Sequence, residues 1–234
     1  MVVLALDTAT RQGSAALLID ETCDVASGDS SRTHGERLPL ELTALLDARG
    51  LTLQDVDIFA VVSGPGSFTG LRVGMAAIQG LALVTARPVA PVPTLDAMAE
   101  GRNLAVPGFR GSGVPRFVIP CLDGQRGELF FAAWRGAEQL IEASVGTPED
   151  VVRVVRALRV DGPAVIVGIG LERHAEVIGQ LDIPIEPVSR SLAEVAARIA
   201  ARRPDLVTSP HALRPLYVRR PDAELARERA GMAR

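Results

Sequence analysis

Two stretches of this chain run through the same order of elements, and that duplication restricts the fold more than any single motif does. Val2–Asp7, Gly13–Asp20 and Asp24–Ser31 read as three strands with short turns, followed by a helix over about Glu36–Arg49. A strand at Asp57–Gly64, a helix at Phe68–Val84 and a strand at Pro88–Val92 come next. After the glycine- and proline-rich run GRNLAVPGFRGSGVPR the pattern restarts with RFVIPCLD, GELFFAAWRG and EQLIEASVG. A helix near Pro148–Leu158, the strand AVIVGIG and a helix near Ser191–Arg203 complete it. A βββαβα unit repeated in this way predicts two related α/β lobes. The reading places them at residues 1–100 and 117–213, joined by 101–116 and followed by a C-terminal segment and tail, 214–234.

Composition narrows the function classes. A chain of 234 residues that is 47% hydrophobic can bury a large core, as one domain or as two lobes. Read as written, no apolar run reaches the roughly 18 residues of a membrane span, and MVVLALD opens without a basic segment and cleavage site. A cytoplasmic protein is expected. Cys23 and Cys121 stand far apart with no CxxC spacing, which fits two reduced, packed thiols. All 25 of the Lys+Arg residues are arginine, so Schiff-base chemistry and any lysine phosphate clamp are excluded within the chain. A net charge of −3 argues against autonomous nucleic-acid binding, the arginine-rich C-terminal tail being the one local exception.

The run Ser63–Gly80 joins a strand to a helix through a loop built for its backbone. Gly64, Gly66 and Gly70 permit positive φ or close approach, and the free N–H groups of the helix start could receive an anion. It is not a nucleotide-hydrolase phosphate loop, because Gly70 is followed by Leu71-Arg72 where that motif needs Lys-Ser/Thr. A tight turn with close helix packing accounts for the same residues.

LALDTATRQGSAALL, SGPGSFTGLRVG, QGLA, LDGQRGELFFAAW and PLYVRRPDA together resemble the TsaB family, the non-catalytic partner of TsaD in bacterial threonylcarbamoyladenosine synthesis on tRNA. The match is most specific over Leu4–Glu100 and weak over Val152–Arg203. The resemblance implies an actin-like ATPase fold of duplicated ribonuclease-H-like units with a reduced second lobe. It implies TsaD as partner, the small ATPase TsaE as a further one, a homodimer when TsaD is absent, and tRNA met only through the complex. No cofactor is expected in the isolated chain, with ATP and Mg²⁺ entering only through partners.

TsaD carries a metal-binding His-x-x-x-His, and those positions fall here on Thr94 and Met98. A hydroxyl and a thioether cannot stand in for imidazoles, so neither a metal site nor peptidase or transferase activity is expected. HGERL at His34 lacks the second histidine of HExxH, and His174 and His211 are scattered. In actin-like ATPases an acidic residue ending the first strand helps hold Mg²⁺; Asp7, followed by Thr8, occupies that place, with Asp123 similarly set in the second lobe. The favoured reading is that each Asp closes a strand-end turn in a vestigial nucleotide cleft. The competing one is an independent ATP-dependent enzyme using that cleft.

Two helices carry the expected interaction. Leu38, Leu42, Leu45 and Leu46 form one stripe; Gly70, Gly74, Ala77, Ile78 and Leu81 form a smooth stripe on the next helix, which is apolar nearly all round. The expected partner-binding set is Leu38, Leu42, Leu45, Leu71, Arg72, Met75 and Ile78.

Overall fold

The computed structural model describes residues 1–105 and 117–219. Most of the expected connection, 106–116, and the tail from 220 lie outside the described residues. The first sheet holds β1 (Val2–Asp7), β2 (Ser14–Ile19), β3 (Thr22–Ser27), β4 (Ile58–Val62) and β5 (Val89–Val92) in the order β3-β2-β1-β4-β5. β1 pairs antiparallel with β2 (Leu4 opposite Leu17) and parallel with β4 (Leu4 opposite Phe59).

The second sheet repeats this plan with β6 (Phe117–Asp123), β7 (Leu129–Arg135), β8 (Glu138–Gly146), β9 (Ala164–Ile169) and β10 (Ile185–Pro187). Its order, β8-β7-β6-β9-β10, again sets two antiparallel pairs beside two parallel ones. Two sheets of identical order and sense make the actin-like two-lobe fold of duplicated ribonuclease-H-like units. The reduction in the second lobe lies in a crossover, not in the strand count. α2 (Phe68–Thr85) links β4 to β5, whereas α5 (Ala175–Ile178), flanked by 3-10 turns, links β9 to β10.

Strand alternation sorts the core into layers. Leu4 and Leu6 face outward onto α1 (His34–Asp47) and α2, while Val3 and Ala5 face inward. The helix that covers that inner face comes from the far end of the chain. α6 (Leu192–Arg202) lies on β1, β2 and β4, and its Ala193, Ala196, Ala197 and Ala200 are small enough to seat it against the strands. Conversely α3 (Thr94–Ala105) packs on β6, β7 and β9 of the second sheet. This exchange makes one continuous core between the lobes, to which Leu122, Phe130 and Ala132 of the second sheet also contribute. The outer face of the second sheet is covered by α4 (Pro148–Arg159) and α5.

Local chemistry moves several expected boundaries. β3 begins at Thr22 and ends at Ser27 because Asp20, at φ 51°, turns the chain directly back from β2. α1 begins at His34, where Thr33 and Glu36 form a capping box, and ends at Asp47. The expectation that nothing reaches membrane-span length fails at α2, whose 18 residues have a mean hydropathy of 1.3 and are long and apolar enough to cross a membrane. Here one face of α2 is buried on the first sheet, with Met75 and Ile78 among its outer-core residues.

Candidate partner face and inter-lobe cleft

The glycine-rich loop is packed against the end of β1 by its backbone. Gly64 holds φ 111° beneath the Leu216 carbonyl, so only glycine sits there without strain. Gly70 lies against the Thr8 carbonyl and Gly74 against the Thr8 side chain, leaving no room for a Cβ at either position. Ser67 N–H donates to the Ala9 carbonyl at 2.8 Å, and Ser67 Oγ accepts from Gly70 N–H at 3.2 Å. These donors of the α2 start are therefore met by protein acceptors.

The partner-binding set is corrected by burial. Leu38, Leu42, Leu45, Met75 and Ile78 belong to the core between the helices and the first sheet, and Leu71 belongs to the inter-lobe core. Their periodicity marked the buried stripe, so among the seven only Arg72 stands on the surface. The exposed side of α2 carries Phe68, Ala76, Leu83 and Val84, with Val73 half-buried; Val84 is 81% exposed. Leu40 of α1 is likewise open, at 66%. Arg72, Ala76, Gly80, Leu83 and Val84 recur at three- and four-residue steps with one single step, which places them on one side of the helix. The sequence marks Arg72 and, as part of an apolar excess, Val73, Ala76, Leu83 and Val84, but the last four stayed outside the expected partner-binding set because a helix apolar all round does not reveal which side meets its own sheet.

Arg72 also anchors the C-terminal segment. Its guanidinium lies 3.9 Å over the Phe68 ring, and Nε donates to the Tyr217 hydroxyl at 3.1 Å. Phe68 and Tyr217 stack with centroids 5.2 Å apart. From there the chain continues into the second lobe, where Arg219 pairs with Glu128 at 2.5 Å.

The cleft between the lobes encloses about 570 Å³ and is lined by Asp7, Thr10, Gly13, Gly168, Gly170 and Ser191 among others. Asp7 is buried. Its carboxylate accepts from Ala9 N–H at 2.8 Å, Thr10 N–H at 3.3 Å and the Thr10 hydroxyl at 2.6 Å. Burial pushes this carboxyl above its ordinary value, and the three hydrogen bonds oppose that rise. Thr8 is fully buried, with an unpartnered hydroxyl against Gly74. Asp123 accepts from Gln125 N–H at 2.9 Å and lies 3.3 Å from His174 Nε2, behind Gly170 and outside the cleft lining. The structure therefore does not bring Asp7 and Asp123 together in the cleft. Both Asp7 oxygens accept hydrogen bonds within the strand-end turn, and the chain has no lysine to meet a phosphate.

Thr94 and Met98 are fully buried at the start of α3, Met98 within the inter-lobe core. Among the described residues no three His, Cys, Asp or Glu side chains are grouped to hold a metal ion. One functional-looking group gave no sequence signal. Arg37 is 2% exposed, donating to the Gln12 carbonyl and to His34 Nδ1 and pairing with Glu41 at 2.7 Å. Nothing in HGERL distinguishes it from a solvated helix arginine, and only the facing Gly13 and Gly28 leave room for its guanidinium.

The family model of TsaD, tRNA N6-adenosine threonylcarbamoyltransferase, matches residues 25–209. The tRNA threonylcarbamoyladenosine biosynthesis protein TsaB of Escherichia coli is 36% identical over 59% of this chain and 57% of its own length. An uncharacterized Mycobacterium leprae protein is 32% identical over 95% of this chain and 56% of its own. The matched part thus spans little more than half of each of these two relatives. YeaZ from Pseudomonas aeruginosa superimposes with a TM-score of 0.71 at 26% identity, covering 92% of this chain and 99% of that one. By the family model and these relatives together, the chain belongs to the TsaB family, within the wider group that the TsaD model describes.

Proposed function

We propose that this chain serves tRNA threonylcarbamoyladenosine biosynthesis as a non-catalytic scaffold subunit, with its exposed α2 face docking on TsaD. The observation that carries the reading is the apolar side of α2, from Val73 and Ala76 to Leu83 and Val84, left open after the opposite side has been buried on the sheet. Leu40 on α1 is a further exposed apolar side chain. Burial of Thr94 and Met98, where TsaD has metal-binding histidines, supports assigning the transfer chemistry to TsaD.

On this reading the same face pairs two copies of the chain when TsaD is absent, TsaE joins the complex, and tRNA is met only through it. The chain is cytoplasmic, engages no membrane and holds no cofactor alone; ATP and Mg²⁺ enter with the partners. The engagement of Asp7 in its own turn speaks against the alternative of an independent ATP-dependent enzyme. Calorimetric titration of the purified chain with TsaD and, separately, with Mg-ATP tests both. Binding to TsaD alone is expected; tight Mg-ATP binding lost in Asp7→Ala would establish the enzyme instead.

A further inference from the structure

A second cavity lies at the other end of α6. The cleft that contains Asp7 meets α6 at Ser191 and Leu192, whereas this one meets it at Arg198–Arg203. The two ends of an 11-residue helix stand about 16 Å apart, so the molecule has a front cleft and a separate back cleft between the same two lobes. The back cleft holds about 350 Å³, room for a small metabolite. Its floor is apolar: Val118, Trp134, Ile199 and Leu206 line it.

Charge is segregated across that floor. Asp96 and Glu100 stand on the α3 wall, Glu100 engaged in an interaction of its own, and arginines stand on the α6 wall. Arg198 shares the Glu194 carboxylate with Arg190, at 3.0 and 2.6 Å, and Arg203 is paired with Asp205 at 2.8 Å, so both already have a carboxylate partner. Arg202 forms no such pair among the described residues and lies exposed at the edge. Asp96 is half-buried and forms no ion pair among the described residues, with Arg203 acting on it at a distance. Partial withdrawal from water without a bound cation pushes its carboxyl above the ordinary value. The Asp96 carboxylate on one wall, the Arg202 guanidinium on the other and an apolar, indole-bearing floor between them are complementary to a molecule carrying an ammonium, a carboxylate and an apolar body.

We propose that the back cleft binds a small zwitterion of the amino-acid class with an apolar side chain, its ammonium on Asp96, its carboxylate on Arg202 and its side chain against Trp134, Ile199 and Leu206. The site is independent of TsaD docking, since none of these residues belongs to α1 or α2. Because α3 and α6 are the helices exchanged between the lobes, a ligand there bridges the two lobes from behind.

Trp134 is the single tryptophan of the chain, which gives the test a built-in reporter. The purified full chain is titrated with L-leucine and L-phenylalanine, reading tryptophan emission for the former and the Trp134 indole N–H resonance for both. Phenethylamine and 3-phenylpropionate, which carry one charge each, are titrated in parallel. Saturable binding of the amino acids at millimolar or lower concentration is expected, with each one-charge analogue weaker. Asp96→Asn is expected to weaken binding about tenfold, the loss of one charge-assisted hydrogen bond. Arg202→Ala, on an exposed side chain that leaves the fold intact, is expected to weaken the amino acids while leaving phenethylamine unchanged. No saturable response to either amino acid, or binding indifferent to both substitutions, overturns the proposal.

Discussion

The Thr8 carbonyl oxygen occupies the space that a side chain on Gly70 would need, so the end of β1 and the first turn of α2 meet backbone to backbone. This contact sets the direction in which α2 leaves the sheet, and hence how its outer face is presented. Neither partner can retreat: Thr8 is fully buried and Ser67 is tied to Ala9 at 2.8 Å.

Gly70→Val is accordingly expected to destabilise the fold by roughly 1–3 kcal/mol or more, the range of an overpacked core. It should also misaim α2. Urea unfolding measures the first effect, and titration with TsaD at a temperature where the variant remains folded measures the second. A variant as stable as the parent would mean that Thr8 gives way freely.

A gentler perturbation is expected at Tyr217, where the C-terminal segment lies across Phe68 and Arg72. Tyr217→Phe removes only the exposed hydrogen bond from Arg72, at 3.1 Å, and should cost less than about 1 kcal/mol. Tyr217→Ala also removes the stack on Phe68 and should cost about 1 kcal/mol more. Limited proteolysis near Leu216 should follow the same order, because Leu216 N–H still donates to the Ser63 carbonyl, at 2.8 Å, in both variants. Equal protection of the parent and Tyr217→Ala would show that this backbone bond alone holds the segment.

Acid should weaken the fold through His34. Its imidazole is held below the ordinary value of 6.5 first by burial and then by the Arg37 guanidinium, against the weaker opposing pull of Asp7, the Thr10 backbone and Glu41. The unfolded chain therefore takes up this proton before the folded one. Stability contributed by the neutral ring is present above the unfolded value and is lost as pH falls below it. Denaturant midpoints at about pH 7.5 and about pH 5.5 should differ. In His34→Asn, which keeps an acceptor for Arg37 but cannot titrate, that difference should shrink; an undiminished difference assigns the acid sensitivity to other groups.

The fold was legible because its signals are repeated. Apolar strands, a turn-rich junction and a glycine loop each occur in a context where the next element agrees, so the duplicated order of elements could be read in advance. β10 was not: Ile-Glu-Pro is three residues long, and only pairing with β9 makes it a strand. The lobe exchange of α3 and α6 was equally hidden, since an alanine-rich amphipathic helix does not say which sheet it covers. At the site, the loop glycines were found, but their reason differs by position. Gly64 needs its positive φ, while Gly70 needs only proximity to Thr8. Arg37 could not be found at all, because its burial depends on three separated segments closing around it.

The same distinction between a buried and an open helix side decides how partner docking should be probed. Leu71 and Met75, apolar and near the middle of α2, invite substitution by glutamate, yet both are core residues. A charge there is unpaired in an apolar interior and costs several kcal/mol, so Met75→Glu should unfold the lobe and lose every interaction for that reason alone. Ala76, the next residue, points outward, and Val84 is 81% exposed. Ala76→Glu and Val84→Glu should leave the urea midpoint within about 0.5 kcal/mol of the parent, as surface changes do. Sedimentation of these two variants should report monomer, and titration should show TsaD binding weakened by at least about tenfold, because a charge would be buried on association. If both variants keep full affinity for TsaD and for a second copy while Met75→Glu alone loses them, the exposed side of α2 is not the docking face, and the loss in Met75→Glu reports only the collapse of the core behind it.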